Sequence, residues 1–198
     1  MTRTRYLQIA TGIIVLGLVA WAVSRGLERL AGLTPGAPTI QTSAAAPATG
    51  VAKITATLYY VSADGQGLVP VRREVSLAEG LVPQGRAILA AQFGKAPEPF
   101  TSVIPEGTTL RAFYVTDRGD AFVDLSPEAS SRHPGGSSTE LLTVYAIVNA
   151  VTGNLPTIQR VQILIDGREA DTLAGHVDLR RPLQQDLSIV QEPGGARP

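Results

Sequence analysis

Residues 6–24 carry no charged side chain, and this run decides how much of the chain is left to build a globular body. Nineteen residues at 1.5 Å each give roughly 28 Å of helix, close to the hydrocarbon thickness of a bilayer. Arg3, Arg5 and the terminal amine flank the run on one side, while Glu28 offsets Arg25 and Arg29 on the other. That bias predicts a single-pass anchor with its N-terminus cytoplasmic and the C-terminal domain extracytoplasmic. Ala20-Trp21-Ala22 also has the small-x-small pattern of a signal-peptidase site, so secretion after cleavage is the alternative, with a buried soluble helix as a third. Anchor and signal peptide both export the remainder of the chain.

The chain accordingly divides into an anchor and flank over residues 1–33, a disordered linker over 34–50, a domain over 51–192 and a flexible tail over 193–198. The linker is rich in Pro, Ala and Thr and has no sustained apolar period, so it cannot bury enough surface to offset its ordering entropy. About 140 residues remain, enough for one core. Lys and Arg number 17, as do Asp and Glu, which leaves no field to attract nucleic acid. The absence of Cys excludes disulfides, thiolate metal sites and thiol catalysis.

Within the domain, residues 53–60 alternate Ile54, Ala56, Leu58 and Tyr60 on one face, and a second extended run over 68–77 completes a hairpin in which Pro70 favours an edge. Pro83 suits the first turn of a helix through Ala87, Ile88, Ala91 and Phe93, stopped by Gly94. Residues 108–115 and 121–125 predict a second hairpin, with Leu110, Ala112, Tyr114, Ala121, Val123 and Leu125 facing inward. Phe113, Val115 and Phe122 are expected on its opposite face, packed partly against a helix.

Residues 135–154, GGSSTELLTVYAIVNAVTGN, raise the question of a reaction centre. Ser137 stands three residues before Glu140, the spacing of a capping box. Leu141, Val144, Tyr145, Val148 and Val151 then follow helical spacing, widened by Leu142 and Ile147, and Gly153 and Asn154 stop the helix. Residues 161–165, VQILI, form a further strand ending in an Asp166-Gly167 turn. The expected architecture is α+β, a small mixed sheet covered by two helices.

IPEGTTLRAFYVTDRGDAFVDLS, and then GGSSTELLTVYAIVNAVTGNLPTIQRVQILIDGREADTLAGHVDLRRPL, resemble the GerMN domain, a module of spore-germination and sporulation proteins and of other bacterial envelope proteins. The resemblance covers about residues 52–184. It falls on Gly107, Thr108, Asp124, Leu125, Ser126, Gly135, Gly136, Ser137, Glu140, Asn149, Asp166, Gly167, Gly175, His176 and Asp178, among others. It implies an extracytoplasmic module similar to small α/β ring-building domains, and it brings no set of catalytic residues. Arg180-Arg181 before Pro182 departs from the small polar residue more usual there, and a single copy carries no role that needs tandem domains.

Chemistry has few candidates. His133 and His176 with Asp166, Asp171 and Asp178 offer metal-ligand types, but no HxxxH pair or His cluster. Glu140, Asp124, Asp166 and Asp178 invite a carboxylate-pair hydrolase, while Ser137 or Ser138 beside His133 lacks a GxSxG elbow or SxxK signature. No residue is expected to be catalytic, cofactor-binding or metal-ligating, and no cofactor is expected. The expected function is a noncatalytic, membrane-tethered scaffold of the cell envelope, with sporulation or germination as one setting. Its partners would be an envelope protein or its own copies, through a sheet edge or helix face carrying Arg111, Arg160, Arg168, Arg180 and Arg181. A cell-wall glycan or peptide ligand, or an envelope hydrolase, is the alternative, and the bilayer is the partner of residues 6–24.

Overall fold

The structure is a computed structural model, and it describes residues 52–191. The expected span at 6–24, the linker at 34–50 and the tail at 193–198 lie outside these. Among the described residues no helix is long and apolar enough to cross a membrane.

Strands β1 (Lys53–Val61) and β2 (Leu68–Ser76) form the first hairpin, in unbroken antiparallel register from Lys53↔Ser76 to Val61↔Leu68. Pro70 lies opposite Tyr59, whose N–H and C=O turn away from β2 to the Gln92 side chain. The 59/70 pair is therefore a non-hydrogen-bonded one, and the missing proline N–H costs the ladder nothing. Helix α1 (Leu81–Gln92) starts after Gly80, at φ 93°, and Gln84 inside it ties back to the chain just before, accepting the Ala78 N–H at 2.8 Å and donating to the Ser76 carbonyl at 3.2 Å.

Strands β3 (Leu110–Val115) and β4 (Asp120–Leu125) form the second hairpin. A short helix α2 (Glu128–Ser131) leads to the long α3 (Ser137–Asn154), which crosses over to β5 (Arg160–Ile165), parallel to β4. Asp166 and Gly167, both at positive φ (53° and 74°), make the tight turn to β6 (Arg168–Glu169), and β7 (Leu183–Gln184) pairs with the start of β5. The larger sheet runs β3-β4-β5-β6, with β7 also on β5.

The α+β class stands, but the strands form two sheets where one was expected, because the first hairpin does not join the second. Helix α3 packs against both β1 and β5, so a one-sided apolar stripe does not describe it. Leu142, Val144, Ala146, Ile147, Val148, Ala150 and Val151 are all buried, together with Glu140, Thr143 and Asn149.

The inward face assigned to β3 holds at Leu110, which lies opposite Leu125 and packs on the core, and has the wrong parity beyond the bulge. Ala121, Val123 and Leu125 are buried as expected, but Tyr114 is 59% exposed, and Phe113, at 2%, takes the core position. Register explains it: Phe113 faces Val123 and Val115 faces Ala121, while Tyr114 faces Phe122. Directly opposed residues share a face, so Phe113 and Val115 must share the helix side with Val123 and Ala121. A bulge between Leu110 and Ala112 takes Arg111 out of the regular ladder. Gly85 of α1 is buried against Phe113, and a Cβ there would overlap the phenyl ring.

The capping box at Ser137 is also absent. Gly136, at φ 87°, is the N-cap, with no side-chain cap bond, and Ser137 is exposed. Glu140 has turned into the protein instead.

Candidate functional site

The acids and histidines singled out in the sequence separate into three places. Glu140, wholly buried on the first turns of α3, receives the backbone N–H groups of Leu173, Ala174 and His176 at 2.8–2.9 Å and the His176 ring Nδ1 at 3.0 Å. A carboxylate has about four acceptor sites, and these donors occupy them. Burial pushes its pKa up, but the backbone donors of the 174–177 loop and the His176 imidazole prevail and hold the carboxyl below its ordinary range. Because a carboxylate only accepts, His176 donates from Nδ1. Glu140 thus anchors the segment after β6 and has no free oxygen for acid–base work.

His133 stands nearby on the way into α3. Gly135 N–H donates to its Nδ1 at 3.0 Å, so Nε2 carries the proton and donates to Thr143 Oγ1 at 3.1 Å. Burial pushes this imidazole below its ordinary pKa, with Glu140 pulling the other way. Thr143 Oγ1 lies within hydrogen-bonding reach of the Val103 and Thr139 carbonyls. Ser137 and Ser138, the candidate nucleophiles, are exposed, and the His133 ring is engaged by Gly135 and Thr143 instead.

Asp124 and Asp166 form the second place, bridged by Arg111, whose Nε lies 3.3 Å from Asp124 and whose Nη1 contacts Asp166. The largely buried Asp124 also accepts the Gly167 N–H at 2.7 Å, which ties β4 to the β5–β6 turn. Asp178 is the third, held by Arg180 through paired contacts of 2.9 and 2.8 Å, and the guanidinium keeps its carboxyl well below the usual range. Asp171 lies at the same loop, where its backbone carbonyl accepts the Leu179 N–H. No group of three or more His, Asp or Glu able to hold a metal ion occurs among the described residues. Of the arginines expected at a contact surface, Arg111, Arg160 and Arg180 are engaged in ion pairs within the chain.

The residues that sequence reasoning missed are apolar or amide. Leu81 and Val82, 41% and 36% exposed, line an open cleft of about 530 Å³ with Pro83, Val115, Thr116 and Asp117. A second cleft of about 490 Å³ lies at the other end of β3, where Ala87, Ala90 and Phe93 of α1 face residues 108–110. Tyr114 stands exposed on the opposite face of the same strand. β3 ends the larger sheet, so one edge of it pairs with nothing among the described residues. For the apolar residues, the signal in the sequence is the Leu81-Val82 pair at the first turn of a helix, before its buried positions begin.

By contrast, the free edge of β1 is closed. Asn154 takes the N–H and C=O of Thr57 at 2.8 and 2.7 Å, Gln92 takes those of Tyr59 at 2.9 and 2.7 Å, and Thr101 bridges Val61.

These features define a small two-sheet α+β module whose polar candidates secure loops; Leu81, Val82 and Tyr114 are exposed beside β3, and Leu77 and Leu187 are exposed elsewhere. The sequence matches the family model of Germane, described as sporulation and spore germination, over residues 57–171, and the chain belongs to that family. Its fold is similar to the tandem GerMN domains of the sporulation protein GerM from Bacillus subtilis, at 20% identity and a TM-score of 0.51 over 69% of this chain. It spans 46% of that tandem structure. The first GerMN domain of the same protein alone matches at 18% identity and a TM-score of 0.46, over 67% of this chain and 96% of that one. A candidate lipoprotein from Clostridium perfringens matches at 24% identity and a TM-score of 0.48, over 68% of this chain and 89% of the other. No curated protein matches the chain.

Proposed function

We propose that the domain acts without catalysis, as a protein-contact module of the cell envelope in the sporulation and germination setting of its family. The observation that carries this reading is the margin around β3: an unpaired strand edge with Leu81 and Val82 exposed on its helix side and Tyr114 on the other. Such an edge supplies main-chain hydrogen bonds for affinity, and side-chain clefts beside it supply specificity. The buried Glu140, saturated with donors, and the Arg-bridged pair of Asp124 and Asp166 are consistent with structural duty for the acids.

A photoreactive amino acid placed at Leu81 or Tyr114 in living cells tests the reading. Protein adducts are expected at both positions and not at Ser137, an exposed residue at the start of α3. Failure to trap any protein at Leu81 and Tyr114, together with turnover of an envelope substrate by the purified chain, would overturn it.

A further inference from the structure

We infer that the outer edge of β2 pairs with β2 of a second copy of this chain, antiparallel and centred on Arg73. The inference concerns the smaller sheet and goes beyond the contact reading of the β3 margin.

β1 turns Thr57, Tyr59 and Val61 away from β2, toward Asn154, Gln92 and Thr101. Their partners in the hairpin are Arg72, Pro70 and Leu68. Bonded and non-bonded pairs alternate in an antiparallel ladder, so the even-numbered residues of β2 point their backbone groups away from β1. Leu68 agrees with this parity, since its N–H and C=O meet Ile189 and Gln191. Pro70 has no N–H to carry that pairing further. At the other end Gln84 donates to the Ser76 carbonyl and accepts the Ala78 N–H. Between these stops Arg72 and Glu74 turn both backbone groups outward. Both residues are exposed, and among the described residues no strand pairs with them on that side.

Charges on an edge strand ordinarily keep other strands away. Here their signs alternate, and a single self-register makes them complementary. An axis at Arg72 would set the two Arg72 side chains against each other, and an axis at Glu74 the two Glu74. An axis at Arg73 sets Arg72 of each copy opposite Glu74 of the other. Glu74 meets Lys53 through Oε2 at 2.8 Å, and its carboxylate has further acceptor sites for a guanidinium.

The same register suits the backbone. Arg72 and Glu74 exchange N–H···O bonds in both directions across the axis. Pro70 comes opposite Ser76, so the proline's missing N–H faces the carbonyl that Gln84 already fills, while the Ser76 N–H finds the Pro70 carbonyl. On the helix side Val71, partly buried against the core, comes opposite Val75. The two Arg73 residues meet at the axis, but each guanidinium is held within its own fold by Tyr60 Oη at 3.2 Å and the Lys95 carbonyl at 2.9 Å.

The chain has no cysteine, so introduced thiols report the register directly. Residues of a hydrogen-bonded pair have Cα atoms about 5.5 Å apart, within disulfide reach. Two differently tagged full chains, one carrying Arg72→Cys and the other Glu74→Cys, are produced together and oxidised in intact cells with copper phenanthroline. A disulfide joining the two tags is expected. Each variant produced alone is expected to link roughly tenfold less, since like positions then lie diagonally, about 7–8 Å apart and past disulfide reach. Adding Glu74→Arg to the Arg72→Cys chain sets it against Arg72 of the other chain and is expected to slow linkage roughly fivefold. Absence of the mixed disulfide, or equal linkage of either variant alone, overturns the pairing, as do disulfides to other proteins in place of the second copy. Photoadducts at Leu81 and Tyr114 test the contact reading apart from this result.

Discussion

Asn154, the last residue of α3, clasps Thr57 from across the fold: its amide nitrogen donates to the Thr57 carbonyl at 2.7 Å and its amide oxygen accepts the Thr57 N–H at 2.8 Å. The same nitrogen lies 2.8 Å from the Ala150 carbonyl of its own helix. One side chain thus stands in for a neighbouring strand and fixes where α3 lies along β1. Asn154→Ala leaves both Thr57 groups without a protein partner, at an expected cost of roughly 1–3 kcal/mol. Urea unfolding measures it, and a loss within about 0.3 kcal/mol would mean water replaces the clasp.

Glu140→Gln tests the anchoring role of the buried acid. An amide offers one acceptor oxygen and turns an N–H₂ toward the remaining donors, so a loss of roughly 2–4 kcal/mol is expected. Sign follows from linkage: the folded carboxyl lies below its ordinary value, so its contribution is complete above the unfolded pKa of about 4.3 and is lost as pH falls through the folded value. Stability profiles of wild type and variant should therefore converge below about pH 4. Parallel profiles would show that the carboxyl titrates as it does in the unfolded chain.

His133 works through its neutral form. Its folded pKa lies below the ordinary value of about 6.5, so the unfolded chain binds the proton first and stability declines as pH drops through that value. Protonation at Nδ1 would also set two donors, the ring and the Gly135 N–H, against each other. Thermal melts between about pH 7.5 and 5.5 should show a slope that His133→Asn reduces; an unchanged slope would place the titration elsewhere.

Gly85→Ala sets two effects against each other. Helix propensity favours alanine by about 1 kcal/mol, but the new methyl would overlap the Phe113 ring in a buried contact, an overpacking cost of about 1–3 kcal/mol. Packing is expected to win, giving a lower Tm. A raised Tm would show that Phe113 has room to move.

Ser137→Ala separates the capping-box reading from the structure. A lost cap costs about 1 kcal/mol. With Gly136 as the N-cap and Ser137 exposed, the change is expected to stay within about 0.5 kcal/mol. A loss near 1 kcal/mol in denaturant would restore the cap.

Local patterning carried much of the fold. The alternation in KITATLYY, the Asp166-Gly167 turn and the apolar spacing after Ser137 each reflect short-range geometry, and β1, the β5–β6 turn and α3 follow them. Parity on β3 was hidden because it depends on how residues 116–120 close the hairpin, and the bulge at Arg111 shifts the register again. Ser137 and Glu140 satisfied a local rule while a distant loop, residues 173–176, supplied donors that the rule cannot see. The strand-mimicking amides left a faint trace: Gln92 and Asn149 each follow an apolar stretch of their helix, and each clamps a backbone far away in sequence, Tyr59 and Asp186. The β3 edge was illegible because the separation of the two sheets creates it.

The central claim, that this domain works through its surface and not through a reaction centre, is tested most directly by replacing the chromosomal copy with two variants matched for stability. Leu81→Glu with Tyr114→Lys charges the β3 margin, while His176→Ala removes the half-exposed imidazole beside Glu140. The margin variant is expected to reproduce the phenotype of deleting the chain, and the histidine variant to behave as wild type. Full function in the margin variant with loss in the histidine variant would contradict the account.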